Sequence, residues 1–332
     1  MNKVKIIAEI GINHNGKISL AKKLILSAKK AGADYVKFQT FITEDVITSK
    51  LRKADYQIKN TKSNETQYEM IKKLQLSFTQ FKDLKKFCDK KGIKFLSTAF
   101  DLKSLKFIIS LNPDYIKIPS GEINNLPLIK AISKLNKKTI VSTGMCSMKE
   151  VVNTIKILRK YGLKKDKLTL LHCNSEYPTP LNDVNLNVIK TFKFFFNTTV
   201  GYSDHTASQE VPVAAVALGA SIIEKHFTLN NNFKGPDHKM SFNPIEFSRM
   251  VKNIRNTELL LGDNKKKITS SENKNKKLVR RSIVAMKKIN IGDKFTHKNI
   301  GVKRPGYGLS PMKYFDILGK HSKKNYKIDD LI

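Results

Sequence analysis

The chain switches repeatedly between short apolar, β-branched runs and longer runs whose apolar residues recur every three or four positions. The first kind predicts strands at Val4–Glu9, Tyr35–Gln39, Phe95–Thr98, Tyr115–Ile118, Thr139–Thr143, Leu168–His172, Thr199–Tyr202 and Ser221–His226. The second predicts helices such as Ser19–Lys30, Phe78–Lys91, Met148–Tyr161 and Pro212–Leu218, and a last long helix from Pro244 to about Leu261 that ends at Gly262. Gly32, Gly92, Asn136, Gly162 and Gly219 stand where helices need a left-handed cap. Strands alternating with helices give a parallel sheet, and eight such units in roughly 260 residues predict a closed (β/α)8 TIM barrel. A doubly wound open sheet would carry a phosphate-binding glycine loop after its first strand, and Gly11-Ile12-Asn13-His14-Asn15-Gly16 lacks that spacing.

Residues 1–262 are therefore read as the barrel. Residues 263–278 are charged, rich in Lys, Asn and Ser and nearly free of apolar residues, and read as a linker. Residues 279–332 resume short β-like runs and turn signals, such as Ile283-Val284-Ala285-Met286 and Arg304-Pro305-Gly306-Tyr307-Gly308. A module this small hardly stabilises itself and is expected to dock elsewhere.

In this barrel class the active site forms where the strands end. Here the strand ends carry Glu9, Lys37 and Gln39, Ser97 and Thr98, Lys117 and Ser120, Ser142 and Thr143, His172, Asp204 and His205, and Glu224 and His226. Lys37 and Lys117 interrupt otherwise apolar strands; two ammonium groups facing one cavity predict an anion between them, a phosphate or a carboxylate. The hydroxyls of Thr98, Ser120 and Ser142 suit its oxygens. A Schiff-base lysine is the rival role, and snorkelling to the barrel mouth the bland one. His205 and His226 close neighbouring strands, about 4.8 Å apart, and so could share one divalent ion with open positions left for a substrate oxygen. Each histidine alone is more often structural. Glu9 and Asp237 are carboxylates fit to touch hydroxyls or move protons. Glu122 follows the lysine and serine of the fourth strand, where it could direct a water or merely favour a helix N-terminus.

Composition bounds the rest. The 332 residues hold 62 Lys plus Arg against 28 Asp plus Glu, a net charge of +34. Only seven of the basic residues are Arg, and the lysines lie along amphipathic helix faces as solvated charge does. A basic barrel that binds nucleic acid without catalysis is the alternative of another class, and it leaves the filled set of strand ends unexplained. The longest weakly polar run, Val211–Ile223, is too short for a membrane span, so no membrane partner is expected. The start does not read as a signal peptide, and three scattered cysteines make no disulfide framework; a cytoplasmic, reducing setting is expected.

At these residues the sequence resembles a known family. Ala8-Glu9-Ile10-Gly11-Ile12-Asn13-His14-Asn15-Gly16, Val36-Lys37-Phe38-Gln39-Thr40, Lys117-Ile118-Pro119-Ser120-Gly121-Glu122, Ser142-Thr143-Gly144-Met145, Leu171-His172-Cys173-Asn174-Ser175-Glu176-Tyr177-Pro178-Thr179-Pro180, Gly201-Tyr202-Ser203-Asp204-His205-Thr206, Glu224-Lys225-His226-Phe227-Thr228, Gly235-Pro236-Asp237 and Val302-Lys303-Arg304-Pro305-Gly306 are similar, in order, to the sialic acid synthase family. The resemblance implies a (β/α)8 barrel with a C-terminal antifreeze-like (SAF, β-clip) domain. It also implies condensation of phosphoenolpyruvate with an N-acetylhexosamine aldehyde, giving a nine-carbon 2-keto acid and phosphate by C–O cleavage.

By matching position, the resemblance implies that Lys37, Thr98, Lys117, Ser120 and Ser142 hold phosphoenolpyruvate. His205 and His226 would carry Mn²⁺ or Mg²⁺. Glu9, Gln39, Tyr177 and Asp237 would contact the sugar, and Glu122 would help water attack the oxocarbenium at C2. Arg304 would reach the N-acetyl group from the partner subunit of a domain-swapped homodimer. The stretches Ala54–Thr61 and Gln67–Met70 look like bacterial N-acetylneuraminate synthases, so N-acetylmannosamine is the expected sugar. Legionaminic or pseudaminic acid synthesis, on a 6-deoxy-diacetamido sugar, is the near alternative. A synthase of keto-deoxy sugar phosphates is another, and it should carry an extra Arg or Lys site near the aldehyde's phosphate. Two positions depart from the family pattern: Ala99 where proline is usual, and Ser175 where some members place Asn.

Overall fold

The computed structural model describes residues 3–332. Eight parallel strands close into a barrel in sequence order. They are β1 (Lys5–Gly11), β2 (Tyr35–Thr40), β3 (Lys94–Ala99), β4 (Ile116–Ile118), β5 (Thr139–Ser142), β6 (Leu168–Cys173), β7 (Thr199–Asp204) and β8 (Ile222–His226). The helices between them include α1 (Ile18–Lys30), α2 (Thr43–Val46), α3 (Asp55–Thr61), α4 (Gln67–Leu74), α5 (Phe78–Lys91), α6 (Leu102–Ser110), α7 (Leu126–Leu135), α8 (Met148–Lys160), α9 (Val188–Phe196) and α10 (Glu210–Ala217), with α11 (Pro244–Leu261) closing the ring. Every residue expected as a left-handed cap has a positive φ, from 45° at Asn136 to 112° at Gly162. The (β/α)8 expectation therefore holds.

Strand alternation divides the core in two. Outward-facing residues such as Ile6, Ala8, Val36, Phe38, Val200 and Ile223 pack with the helices. Inward-facing Ile7, Tyr35, Leu96, Ile140, Leu171 and Ile222, with Tyr115 just before β4, plug the barrel. The seventh strand brings Gly201 to this layer because a side chain has no room there: a Cβ would stand 2.5 Å from Ile222 O and 2.6 Å from Leu171 Cδ2. Two residues further along each strand the same inward face carries Glu9, Lys37, Thr98, Lys117, Ser142, Cys173, Ser203 and Glu224. The period of two thus sets a polar layer directly on an apolar floor.

Two departures from the sequence reading stand out. Before α5, the connection from β2 to β3 makes an excursion of three short helices, α2 to α4, which were not expected as helices. Residues 263–278, expected as a linker, include most of a helix, α12 (Ser270–Val279). Its N-cap Thr269 accepts from Glu272 N, and the Glu272 carboxylate in return accepts from Thr269 N at 3.0 Å. This reciprocal capping, rather than burial, starts the helix; none of its residues is buried.

The chain forms two compact units, the first ending at Gly262 and the second running Asp263–Ile332. In the second, β9 (Ser282–Ala285) pairs antiparallel with β10 (Ile300–Lys303). They lie over a small core of Ile283, Ala285, Ile289, Phe295, Ile300 and Tyr326. Among the described residues no helix is long and apolar enough to cross a membrane.

At the end of the barrel opposite the strand C-termini, Arg255 of α11 ties the ring shut. It donates to Val4 O at 2.8 Å and to Asp34 Oδ2 at 2.9 Å, and pairs with Glu258 at 3.1 Å. Asp34 also accepts from Ile6 N. Removing the guanidinium takes a charge-assisted bond from each of Asp34 and Glu258 and one from Val4 O, at about 2 kcal/mol in all. Arg255→Ala should lower Tm by about 4–8 °C and leave kcat near the wild-type value when assayed well below that Tm.

Candidate active site

A cavity of about 460 Å³ opens at the C-terminal ends of the strands. Its walls include Glu9, Lys37, Gln39, Thr98, Lys117, Ser120, Ser142, Tyr177, His205 and His226. The sequence reading singled out all ten, and the fold brings them together. Asp237 is buried, near enough to Glu9 and His205 to feel both charges. Glu122 is not among the lining residues. It lies half-buried on the turn after β4, where its carboxylate accepts from Asn125 Nδ2 at 2.6 Å. Arg304 belongs to the second unit and is exposed there.

At the centre lie two lysines and two glutamates. Lys37 Nζ is 2.8 Å from Glu9 Oε2 and 3.7 Å from Glu224 Oε2. Lys117 Nζ donates to both Glu224 oxygens, at 3.1 and 3.2 Å. Ser203 Oγ donates to Glu224 Oε1 at 3.0 Å, and Lys37 donates to Thr98 Oγ1 at 3.3 Å. This corrects the reading of the lysine pair as one that requires a foreign anion: Glu224 is the anion between them. Burial works to raise the Glu224 carboxyl, but Lys117 and Lys37 hold it at about 2. Burial, partly countered by Lys37, raises the Glu9 carboxyl, and burial lowers the Lys117 ammonium against the pull of Glu224. The signal for Glu224 and Ser203 was present in the sequence. Each stands two residues before a histidine already chosen, on the same inward face.

A β-bulge shifts the β1–β2 register between Glu9 and Gly11, re-aiming the end of the strand. The Glu9 carboxylate also accepts from Gln39 Nε2 at 3.2 Å. Elsewhere on the cavity wall the Ser142 hydroxyl is buried and has no hydrogen-bond partner among the described residues. Gly144 N donates to Ser120 Oγ at 2.9 Å. That approach needs glycine, since a Cβ would lie 2.2 Å from Ser175 Oγ.

His205 and His226 lie side by side, ring centroids 5.5 Å apart. His205 Nδ1 lies 2.5 Å from Asn174 O, so with the proton on Nδ1 the lone pair sits on Nε2. His226 Nδ1 is buried without a partner among the described residues. Burial and the neighbouring His205 hold His226 well below the usual histidine value, which keeps a lone pair available. The orphaned His226 nitrogen beside His205 Nε2 fits a weakly held divalent ion completed by water and substrate oxygens. Among the described residues no cluster of three or more His, Cys, Asp or Glu is arranged to hold a metal.

Tyr177 packs against His205, centroids 4.3 Å apart, and Tyr56 against Tyr177 at 5.2 Å. Tyr56, Gln57 and Gln67 come from the α3–α4 excursion and wall one side of the cavity. Sequence reasoning used these stretches only to choose the sugar and did not place the three residues in the cavity wall, because helices of seven and eight residues leave almost no periodic signature. Asn60 Nδ2 donates to Pro236 O at 2.6 Å, tethering the excursion to the loop that carries Asp237.

Burial, reinforced by Glu9 and opposed by His205, pushes the Asp237 carboxyl up to about 7. An unfolded Asp titrates near ~3.9, so between these values the unfolded chain has released a proton that the folded protein keeps. Stability then falls as pH rises through this window. In the metal-free protein, the Tm of Asp237→Asn relative to wild type should climb between about pH 4 and pH 7 and level off above. A difference that stays constant across this range would contradict the assignment.

Comparison with known proteins supplies the family. The NeuB family profile matches residues 24–266, and the SAF domain profile matches residues 280–332. The chain is 49% identical to the N,N'-diacetyllegionaminic acid synthase of Campylobacter jejuni, over 100% of this chain and 99% of that one. It is 42% identical to the N,N'-diacetyllegionaminic acid synthase of Legionella pneumophila, over 96% of this chain and 90% of that one. Among solved structures, the N-acetylneuraminic acid synthetase of Leptospira borgpetersenii superposes with a TM-score of 0.72 at 32% identity, covering 82% of this chain and 90% of that one. A profile match across most of the barrel, a second across the small domain and relatives alike over nearly their whole length leave one conclusion: this chain belongs to the NeuB family, whose synthases are transferases that condense phosphoenolpyruvate with a sugar.

Proposed function

We propose that this protein condenses phosphoenolpyruvate with 2,4-diacetamido-2,4,6-trideoxymannose and water, giving a legionaminic-acid-type nine-carbon 2-keto acid and phosphate. The observation that carries the choice of sugar is the 49% identity, over the full length, to a relative named for diacetyllegionaminic acid. The sequence reading put N-acetylmannosamine first; the relatives' names support the alternative better. The non-catalytic, nucleic-acid-binding reading falls with the family assignment.

In this reading Lys37 and Lys117 trade part of their pairing with Glu9 and Glu224 for the anionic groups of phosphoenolpyruvate. Thr98, Ser120 and the unpartnered Ser142 hydroxyl supply further hydrogen bonds. Holding the enol and the aldehyde together converts a bimolecular encounter into a positioned one. A divalent ion on His205 and His226, when bound, would orient and polarise the sugar aldehyde, a contribution of several kcal/mol. Glu9, Gln39, Tyr177 and Asp237 orient the open-chain sugar. Asp237, held mostly protonated below pH 7 by its surroundings, can deliver a proton to the oxygen that becomes a hydroxyl.

The C3 carbon of phosphoenolpyruvate bonds to the aldehyde carbon, leaving an oxocarbenium at C2. Water adds there, and the tetrahedral product expels phosphate by C–O cleavage. Glu122 is the residue proposed to help that water. Its role requires the carboxylate to leave Asn125 and turn toward the cavity. Arg304 is proposed to reach the sugar's N-acetyl group from the partner subunit of a homodimer. A cytoplasmic setting follows from the supply of phosphoenolpyruvate.

The test is phosphate release from phosphoenolpyruvate with Mn²⁺, comparing the diacetamido-trideoxy sugar with N-acetylmannosamine. The diacetamido sugar should give a kcat/KM at least tenfold higher, about 1.4 kcal/mol in transition-state binding. Preference for N-acetylmannosamine would return the function to N-acetylneuraminate synthesis. Silence with both would overturn the synthase reading on these sugars.

A further inference from the structure

The ladder between β7 and β8 pairs Tyr202 with Ile223, Ser203 with Glu224 and finally Asp204 with Lys225. His205 and His226 lie one residue beyond that last paired position. They face inward, while Asp204 and Lys225 point to the other side of the sheet. There both side chains are 0% exposed, with Lys225 Nζ 2.7 Å from Asp204 Oδ2. Lys225 also donates to Thr206 O, and its ammonium sits 4.0 Å from the centroid of the Phe242 ring. Asp204 Oδ1 accepts from Thr206 N at 2.9 Å. The pair therefore joins the end of β8 to the turn that follows β7, around the segment that carries His205.

Burying two charges offsets most of what their attraction returns, so such a pair is seldom better for stability than an apolar pair of similar size. What it supplies is geometry: a short, fully desolvated, multiply bonded contact admits one arrangement. We infer that the Asp204–Lys225 ion pair is a positioning device, locking the outward faces of β7 and β8 so that His205 and His226 keep the spacing that lets both reach one divalent ion. This rests on the reading of the two histidines as metal ligands. Neither residue of the pair touches the cavity, and neither is a catalytic residue.

Mn²⁺ titrated into the full-length, metal-free protein, with the unbound ion followed by electron paramagnetic resonance, tests it. Phosphoenolpyruvate affinity is measured in parallel without metal. Two variants are used because Lys225→Met leaves a buried carboxylate unpaired and strains folding, whereas Asp204→Glu keeps both charges and only lengthens the contact. Each should weaken Mn²⁺ binding ten- to a hundredfold, as the loss of an outer partner of a metal ligand does. Phosphoenolpyruvate affinity should change far less than Mn²⁺ affinity, since Lys37 and Lys117 stand on β2 and β4 and only their partner Glu224 stands on β8. Raised Mn²⁺ should restore most of the lost turnover. An Asp204→Glu protein that binds Mn²⁺ within twofold of wild type would overturn the inference. So would a parallel loss of Mn²⁺ and phosphoenolpyruvate affinity, the mark of general loosening. His226→Ala separates the two levels of the argument. If it leaves Mn²⁺ binding intact, the metal reading itself fails; if it abolishes binding while the pair variants change nothing, only the positioning role fails.

Discussion

The cost of burying charge governs this barrel. Two ammonium groups and two carboxylates share its interior, with side-chain exposures of 3–7%. Such groups stay ionised away from water only when paired and hydrogen-bonded. Glu224, bridging Lys117 and Lys37, is the residue that makes the set self-consistent. Without it two lysines would face one another across the cavity; with it, the resting site has no formal charge to spare. In the proposed reaction an incoming phosphate and carboxylate would compete for ammonium groups that are already positioned rather than recruit flexible ones. That is the electrostatic preorganisation a reaction with developing charge needs.

The same period of two that assembles the cluster also closes it from below. Each inward residue of the polar layer stands two positions beyond a floor residue such as Ile7, Leu96, Ile140 or Ile222. The outward residues between them pack under the helices, and β7 and β8 use that outward side for a second buried ion pair. Chemistry and scaffold therefore alternate along single strands, and neither can slip by one residue without exchanging places with the other.

The barrel was legible because its signal is redundant: eight apolar runs, the intervening helical periods and left-handed caps at Gly92 and Asn136 all point to one architecture. The lysines and histidines that line the cavity were legible because each is a polar residue at the end of an apolar strand. Glu224 was in the same list of strand ends but received no role, since a count of lysines alone makes a ligand look necessary where an internal carboxylate suffices. The helix at residues 270–279 escaped because the segment has no apolar face; its one local signal, Thr269 with Glu272 three residues on, was there to be read. The wall built by Tyr56, Gln57 and Gln67 escaped for another reason. Short helices in a long connection are placed by tertiary contacts such as Asn60 with Pro236, and those residues lie far in sequence from any strand end. The motifs therefore fix the reaction more firmly than they fix the sugar.

The buried lysine–glutamate cluster is proposed as the phosphoenolpyruvate subsite. Its most direct test is the dissociation constant of phosphoenolpyruvate, measured calorimetrically for the wild-type protein and for Lys117→Met, which keeps the length of the side chain and removes its charge. Binding should weaken by a factor of about a hundred, the size expected for a charge-assisted contact of roughly 3 kcal/mol. Binding within twofold of wild type would place phosphoenolpyruvate elsewhere and contradict it.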